Sequence, residues 1–169
     1  MIDSGWLGFP PATETDISEA EHRIGTRLPP SLRDFYAVTN GWRTTGPFVW
    51  EVLPTTRIGW LQDLVPQLYD MATAAEAIPG PFKKDPGDAR LMEYRLEQGT
   101  RVKRSLVLSL EGDASNWLLD PGTLNRAGEW AAGRWSSWNP AMEWQAESFA
   151  ELMREELKTF RRLTRDERG

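Results

Sequence analysis

The chain contains no cysteine and a single histidine, His22. The first absence excludes disulfides and thiolate metal sites. The second removes His-rich metal sites and any Ser-His-Asp triad. His22 sits beside Glu21 among charged residues of a helical stretch, the setting of a solvated side chain rather than of a catalytic base. No apolar run approaches the roughly 18 residues that a membrane-spanning helix requires. Residues 1–11 show no charged-then-apolar leader, so a cytoplasmic location is the expectation. A basic excess is also lacking. The formal charge is −5, whereas non-specific nucleic-acid binding needs a basic face. Mild acidity suits a basic partner but does not by itself establish one. There is no phosphate loop, no dinucleotide fingerprint and no Gly-x-Ser-x-Gly elbow. Gly80-Pro-Phe-Lys-Lys lacks the glycines that let backbone amides cradle phosphate, and Gly112-Asp-Ala-Ser115 has the wrong spacing for an elbow. No cofactor and no metal are expected.

What is present is a chain of 169 residues, long enough to bury a real core and read as one domain over 1–169, with its core at about 13–157. Nine tryptophans are many for this length. Each buries a large area and keeps one N–H for a hydrogen bond, so most are assigned to the core and a few to an exposed aromatic face.

The clearest local signal spans residues 28–42. Pro29 and Pro30 fit a first helical turn, where a missing N–H costs nothing. Leu32, Phe35, Tyr36 and Val38 follow at helical spacing, and Asn40-Gly41 is a stop. A helix over 13–24 precedes it, with Thr13 and Asp16 in a capping-box arrangement and Gly25 as its end. Residues 48–53 read as a strand, and 56–75 as a helical region kinked at Pro66. Residues 79–88 read as a loop, and 90–97 fit a strand or a short helix equally. Residues 105–110 read as a buried strand, 111–113 as a turn and 115–120 as the returning strand, broken by Pro121-Gly122. Residues 129–138 give a further strand ended by Asn139-Pro140. Last comes a long helix capped by Ser148 with Glu151, its apolar stripe formed by Phe149, Leu152, Met153, Leu157, Phe160 and Leu163. Clustered strands with helices at the ends make this an α+β fold: a central, mainly antiparallel sheet flanked by an N-terminal helical pair and a long C-terminal helix.

Chemistry is harder to find. Glu111, Asp113 and Asp120 flank one hairpin near Trp117 and are the only obvious acid cluster. A paired-carboxylate hydrolase is the enzymatic reading. The structural reading is stronger, since Asp113 is a turn former and Asp120 before Pro121 ends a strand.

Taken together, Ile17, Glu21, Ile24-Gly25, Leu28-Pro29, Leu32, Phe35-Tyr36 and Asn40-Gly41 resemble the opening of the SUKH superfamily, and more narrowly the Smi/Knr type. Pro54 with Ile58-Gly59-Trp60, then Gly112-Asp-Ala-x-x-Trp117 through Pro121, then Gly128-Glu-Trp130, Trp138-x-Pro140 and Ser148-Phe149 agree in order and spacing. His22-Arg23 departs from the pattern, and 79–99 has no clear counterpart, as an insertion would not. The resemblance implies a SUKH-like α+β domain with no enzymatic activity. Bacterial members are commonly immunity proteins that bind and neutralise a cognate toxin domain, often a nuclease or nucleic-acid deaminase; fungal members act in cell-wall assembly control. A housekeeping regulatory or scaffolding protein of the same fold is the alternative, and the carboxylate hydrolase stands last. The family offers no motif of contact residues. Acids beside aromatics in loops and at element ends nominate Trp42, Asp113, Asp120, Glu143 and Trp144 as partner-binding residues.

Overall fold

Thr13 starts the first helix as its position predicts. In the computed structural model its Oγ1 accepts the Asp16 N–H at 3.1 Å, and Asp16 Oδ2 accepts the Thr13 N–H at 2.7 Å. The structure describes residues 7–43, 49–77, 86–111, 115–136 and 139–166. Helix α1 (Glu14–Ile24) buries Ile17, Ala20 and Ile24 and closes on Gly25 at φ +76°. Helix α2 (Pro30–Val38) buries Leu32 and Tyr36. Glu21 ties the pair together, accepting the Leu28 N–H at 2.8 Å and Arg33 Nη1 at 2.6 Å.

The end of α2 differs from expectation. Thr39 is extended at φ −155°, so Asn40-Gly41 closes no helix. Asn40 Oδ1 instead accepts the Thr55 N–H at 2.8 Å, and Gly41 turns the chain at φ +94°. Val38 lies outside the apolar face, 61% exposed. The N-terminus of α2 has no side-chain cap of its own. Glu129 supplies one from far along the chain, accepting Ser31 N–H and Oγ–H at 2.8 and 2.7 Å.

Two antiparallel sheets follow. Strands β1 (Val49–Val52), β2 (Gly59–Trp60), β3 (Leu106–Val107), β4 (Ser109–Glu111), β5 (Ser115–Leu124), β6 (Trp130–Ser136) and β7 (Asn139–Ala146) are ordered β2-β3-β5-β6-β7 in the larger sheet and β1-β4 in the smaller. The region expected to be one kinked helix over 56–75 opens with a turn, followed by strand β2. It then breaks at Val65 into α3 (Leu61–Leu64) and α4 (Pro66–Ala77), with Pro66 at the first position of α4, where it is tolerated. The ambiguous 90–97 segment lies within a helix, α5 (Pro86–Lys103). The expected loop at 79–88 lies outside the described residues up to Asp85, and from Pro86 it is the start of α5. Pro121-Gly122 does not end β5 but distorts it, shifting the register between Asp120 and Leu124. Asn139-Pro140 opens β7, an edge strand, the position in a sheet where a missing N–H is tolerated.

Helix α6 (Phe149–Asp166) closes the fold. Ser148 Oγ accepts the Glu151 N–H at 3.1 Å, and the Glu151 carboxylate accepts the Glu147 N–H at 2.7 Å. Phe149 and Leu152 enter the core, where Phe35 stands edge-on to Tyr36, Trp42 and Phe149 with ring centroids 5.1–5.6 Å apart. Tyr36 is fully buried and donates to Leu53 O at 2.9 Å; burial holds its hydroxyl in the neutral form. The fold is therefore α+β, its antiparallel sheet flanked by the helical pair and the long terminal helix.

Candidate functional site

The acid nearest to a catalytic reading is the most thoroughly neutralised. Asp120 is in β5 with its side chain fully buried. Arg101, from the last turn of α5, donates Nε to its Oδ2 at 2.7 Å. Arg104, just past the helix end, donates Nε to Oδ1 at 2.5 Å and Nη2 to Oδ2 at 2.9 Å. The Gly122 N–H and Thr123 Oγ1–H fill the remaining lone pairs at 2.9 and 2.7 Å. Burial pushes the Asp120 carboxyl up, but Arg104, Thr123, Arg101 and the Gly122 amide together hold it below the usual carboxylate range. A carboxylate so occupied has no lone pair left for a substrate proton and no surface for a partner. Gly122 is part of the arrangement, since a Cβ there would collide with the Arg104 guanidinium.

Trp144, in β7, belongs to the same cluster. The Arg101 guanidinium lies 4.3 Å from the centroid of its ring, so one arginine joins Asp120 to Trp144. Trp42 is elsewhere. Its backbone bridges Gly8 and Val52, and its half-buried ring packs on Phe35. Glu143 pairs with Arg134 across the β6–β7 ladder, but its side chain lies outside the described residues. Asp113 is outside them altogether. The structure thus brings Asp120 and Trp144 together and leaves Trp42 apart. His22 is exposed on α1. Among the described residues, no group of three or more His, Asp or Glu side chains could hold a metal ion.

A second feature escaped sequence reasoning. Residues 106–111 form not one strand but two, because the chain leaves the larger sheet at Leu108 and continues in the smaller. Past the fork, side chains replace the backbone ladder to β5: Ser109 Oγ accepts the Trp117 N–H at 2.8 Å, and Asn116 Nδ2 donates to Ser109 O at 3.1 Å. The opening between the sheets is a cleft of about 680 Å³ with Ser109 and Asn116 at its base. Arg23 steadies its wall, donating to Ile58 O and Thr55 O at 2.6 Å each, and Trp60 Nε1 donates to Ile24 O at 3.2 Å. Only the resemblance of Ile58-Gly59-Trp60 to a family passage marked this region in the sequence.

The capped helix pair, the forked strand and the start of the closing helix lie in a stretch that one family model describes. The model of the SMI1 / KNR4 family (SUKH-1) matches residues 11–155. The chain belongs to the SMI1 / KNR4 family. The match begins two residues before the Thr13 cap and ends inside α6, so in this SMI1 / KNR4 member the Asp120 cluster and the cleft both fall within the family region. A comparison with curated proteins found no significant match. No helix among the described residues is long and apolar enough to cross a membrane.

Proposed function

We propose that the chain is a non-enzymatic immunity protein that binds and neutralises a cognate toxin domain of nuclease or deaminase type in the cytoplasm. The observation that carries this reading is the SMI1 / KNR4 (SUKH-1) match over residues 11–155, a family whose members are generally immunity-type or regulatory proteins. The chemistry of the site agrees with it. Asp120, the acid that a hydrolase would have needed, is occupied by two arginines. A net charge of −5 favours fast, steered encounter with a basic enzyme. In this reading Trp42, Asp113, Glu143 and Trp144 meet the partner, and Asp120 acts from behind by holding Arg101 under Trp144.

The test begins with the neighbouring gene. If it encodes a large secreted protein with a C-terminal toxin domain, that domain is co-expressed with this chain. Restored growth together with a stable complex is the expected result. Continued growth arrest with no complex overturns the immunity assignment and leaves the regulatory role of the same fold.

A further inference from the structure

Asn40-Gly41 is the only Asn-Gly pair in the sequence. Such a pair carries its own chemistry. The glycine nitrogen can attack the preceding side-chain amide, and with no Cβ on glycine nothing shields that nitrogen. Here bonds to Pro10, Thr39 and Thr55 hold the two residues in place. Asn40 Oδ1 accepts the Thr55 N–H at 2.8 Å, which fixes the half-buried side chain. The Asn40 N–H donates to Pro10 O and the Gly41 N–H to Thr39 O, each at 2.9 Å. The second of these bonds closes a three-residue turn centred on Asn40. A turn of either hand holds ψ away from the value that eclipses Gly41 N with Asn40 Cβ, which ring closure requires. Thr39 Oγ1 lies 2.8 Å from Gly41 O and 3.0 Å from Phe9 O, so the turn is pinned from its own first residue as well. Thr39 and Gly41 are both buried.

We propose that Asn40 is a self-modifying site that the fold keeps closed and unfolding opens, so that its conversion records the time a chain has spent unfolded. In the opened segment Gly41 N loses its proton and bonds to Asn40 Cγ. The Cγ–Nδ2 bond breaks, and Nδ2 leaves as ammonia. Water then opens the cyclic imide at one of its two carbonyls. Opening at the side-chain carbonyl leaves aspartate, and opening at the main-chain carbonyl leaves isoaspartate. The sum is one water consumed and one ammonia released. The two products fit the fold differently. An aspartate carboxylate at position 40 still offers an oxygen to the Thr55 N–H. Isoaspartate adds a methylene to the main chain immediately before Gly41, where a single added Cβ would already sit 2.5 Å from Val52 O. The aspartate form therefore refolds, and the isoaspartate form does not.

The full chain is incubated at one mildly alkaline pH in native buffer and in urea, and peptide mass spectrometry follows the exchange of ammonia for water at each asparagine. In urea Asn40 should convert ahead of Asn116, Asn125 and Asn139. In native buffer the conversion should be at least about tenfold slower, because it must wait for this segment to open. Thr39→Val removes the hydroxyl that pins the turn. It should speed conversion about fivefold in native buffer, the gain expected from one lost hydrogen bond, and leave the rate in urea unchanged. If that variant fails to fold, the ratio between the two conditions in the unaltered chain decides. After dilution from urea, the aspartate product should appear in the folded fraction and the isoaspartate product in the unfolded one. Asn40→Asp, made directly, should fold. Equal rates in native buffer and urea, conversion elsewhere ahead of Asn40, or an unchanged native rate in a folded Thr39→Val chain would overturn the proposal. So would isoaspartate in the folded fraction or an Asn40→Asp chain that does not fold.

Discussion

Arg101 Nε lies 2.7 Å from Asp120 Oδ2, and the same guanidinium covers the Trp144 ring at 4.3 Å. One side chain at the end of α5 therefore fixes a buried anion in β5 and an aromatic residue in β7. The half-buried arginine is the joint between helix and sheet.

Asp120→Asn should destabilise the chain by about 3–5 kcal/mol at pH 7, the usual cost of leaving buried charges without a partner. Urea unfolding measures it. The pH dependence has a definite sign. The Asp120 carboxyl is held below its ordinary value of 3.8, so its contribution is complete above about pH 4 and is lost as pH falls through the depressed folded value. The variant should lack that acid-side loss.

Glu156 behaves in the opposite sense. Burial raises its carboxyl above the ordinary 4.5, and Arg134, 3.4 Å away, only partly offsets this. Its contribution is fully present below the unfolded value and is lost as pH rises through the raised folded one. Glu156→Gln should therefore change stability at pH 7 by no more than about 1 kcal/mol, in either direction, and flatten the profile as pH rises above the ordinary 4.5. A loss as large as that at Asp120 would contradict the upward shift of its carboxyl.

Two glycines in the left-handed region separate conformational from steric cost. At Gly25, φ is +76° and a Cβ would meet nothing within 4 Å, so Gly25→Ala should cost about 1–2 kcal/mol from backbone strain alone. At Gly41, φ is +94° and a Cβ would sit 2.5 Å from Val52 O. Gly41→Ala should exceed Gly25→Ala by 1 kcal/mol or more in thermal or urea unfolding, because β1 must also move.

The stripe of α6 divides at its middle. Leu152 is fully buried and Leu157 is 48% exposed. Leu152→Ala should cost about 2–5 kcal/mol and Leu157→Ala less than about 1 kcal/mol. Equal losses would show that the second half of the helix is covered in solution.

Local signals were legible where neighbours in sequence satisfy one another. Thr13 with Asp16, Gly25 with Glu21, and Ser148 with Glu151 each join residues at most four apart, so composition and spacing disclosed them. The family resemblance rested on such residues and is shown by the match over 11–155. What the sequence concealed depends on distant partners. Arg101 and Arg104 reach Asp120 across 19 and 16 residues, so Asp120 looked like the end of a strand rather than a buried anchor. The 90–97 segment alternates apolar and polar residues like a strand, yet it lies inside helix α5, an element that packs against α4. Asn139-Pro140 looked like a stop because proline suits strand ends, yet at the start of an edge strand it is equally at home. The fork at Leu108 was hidden because residues 105–110 read in sequence as one continuous buried strand.

That fork has a mechanical consequence. Leu108 donates its N–H to Trp117 O in one sheet and accepts the Leu53 N–H beside the other, at 2.9 and 2.8 Å. A single peptide unit on each side of Leu108 is thus shared between them. The smaller sheet cannot peel away without drawing on the larger one, so amides of both should exchange with solvent in one cooperative opening. A force applied to the smaller sheet would load the centre of the molecule rather than a detachable flap.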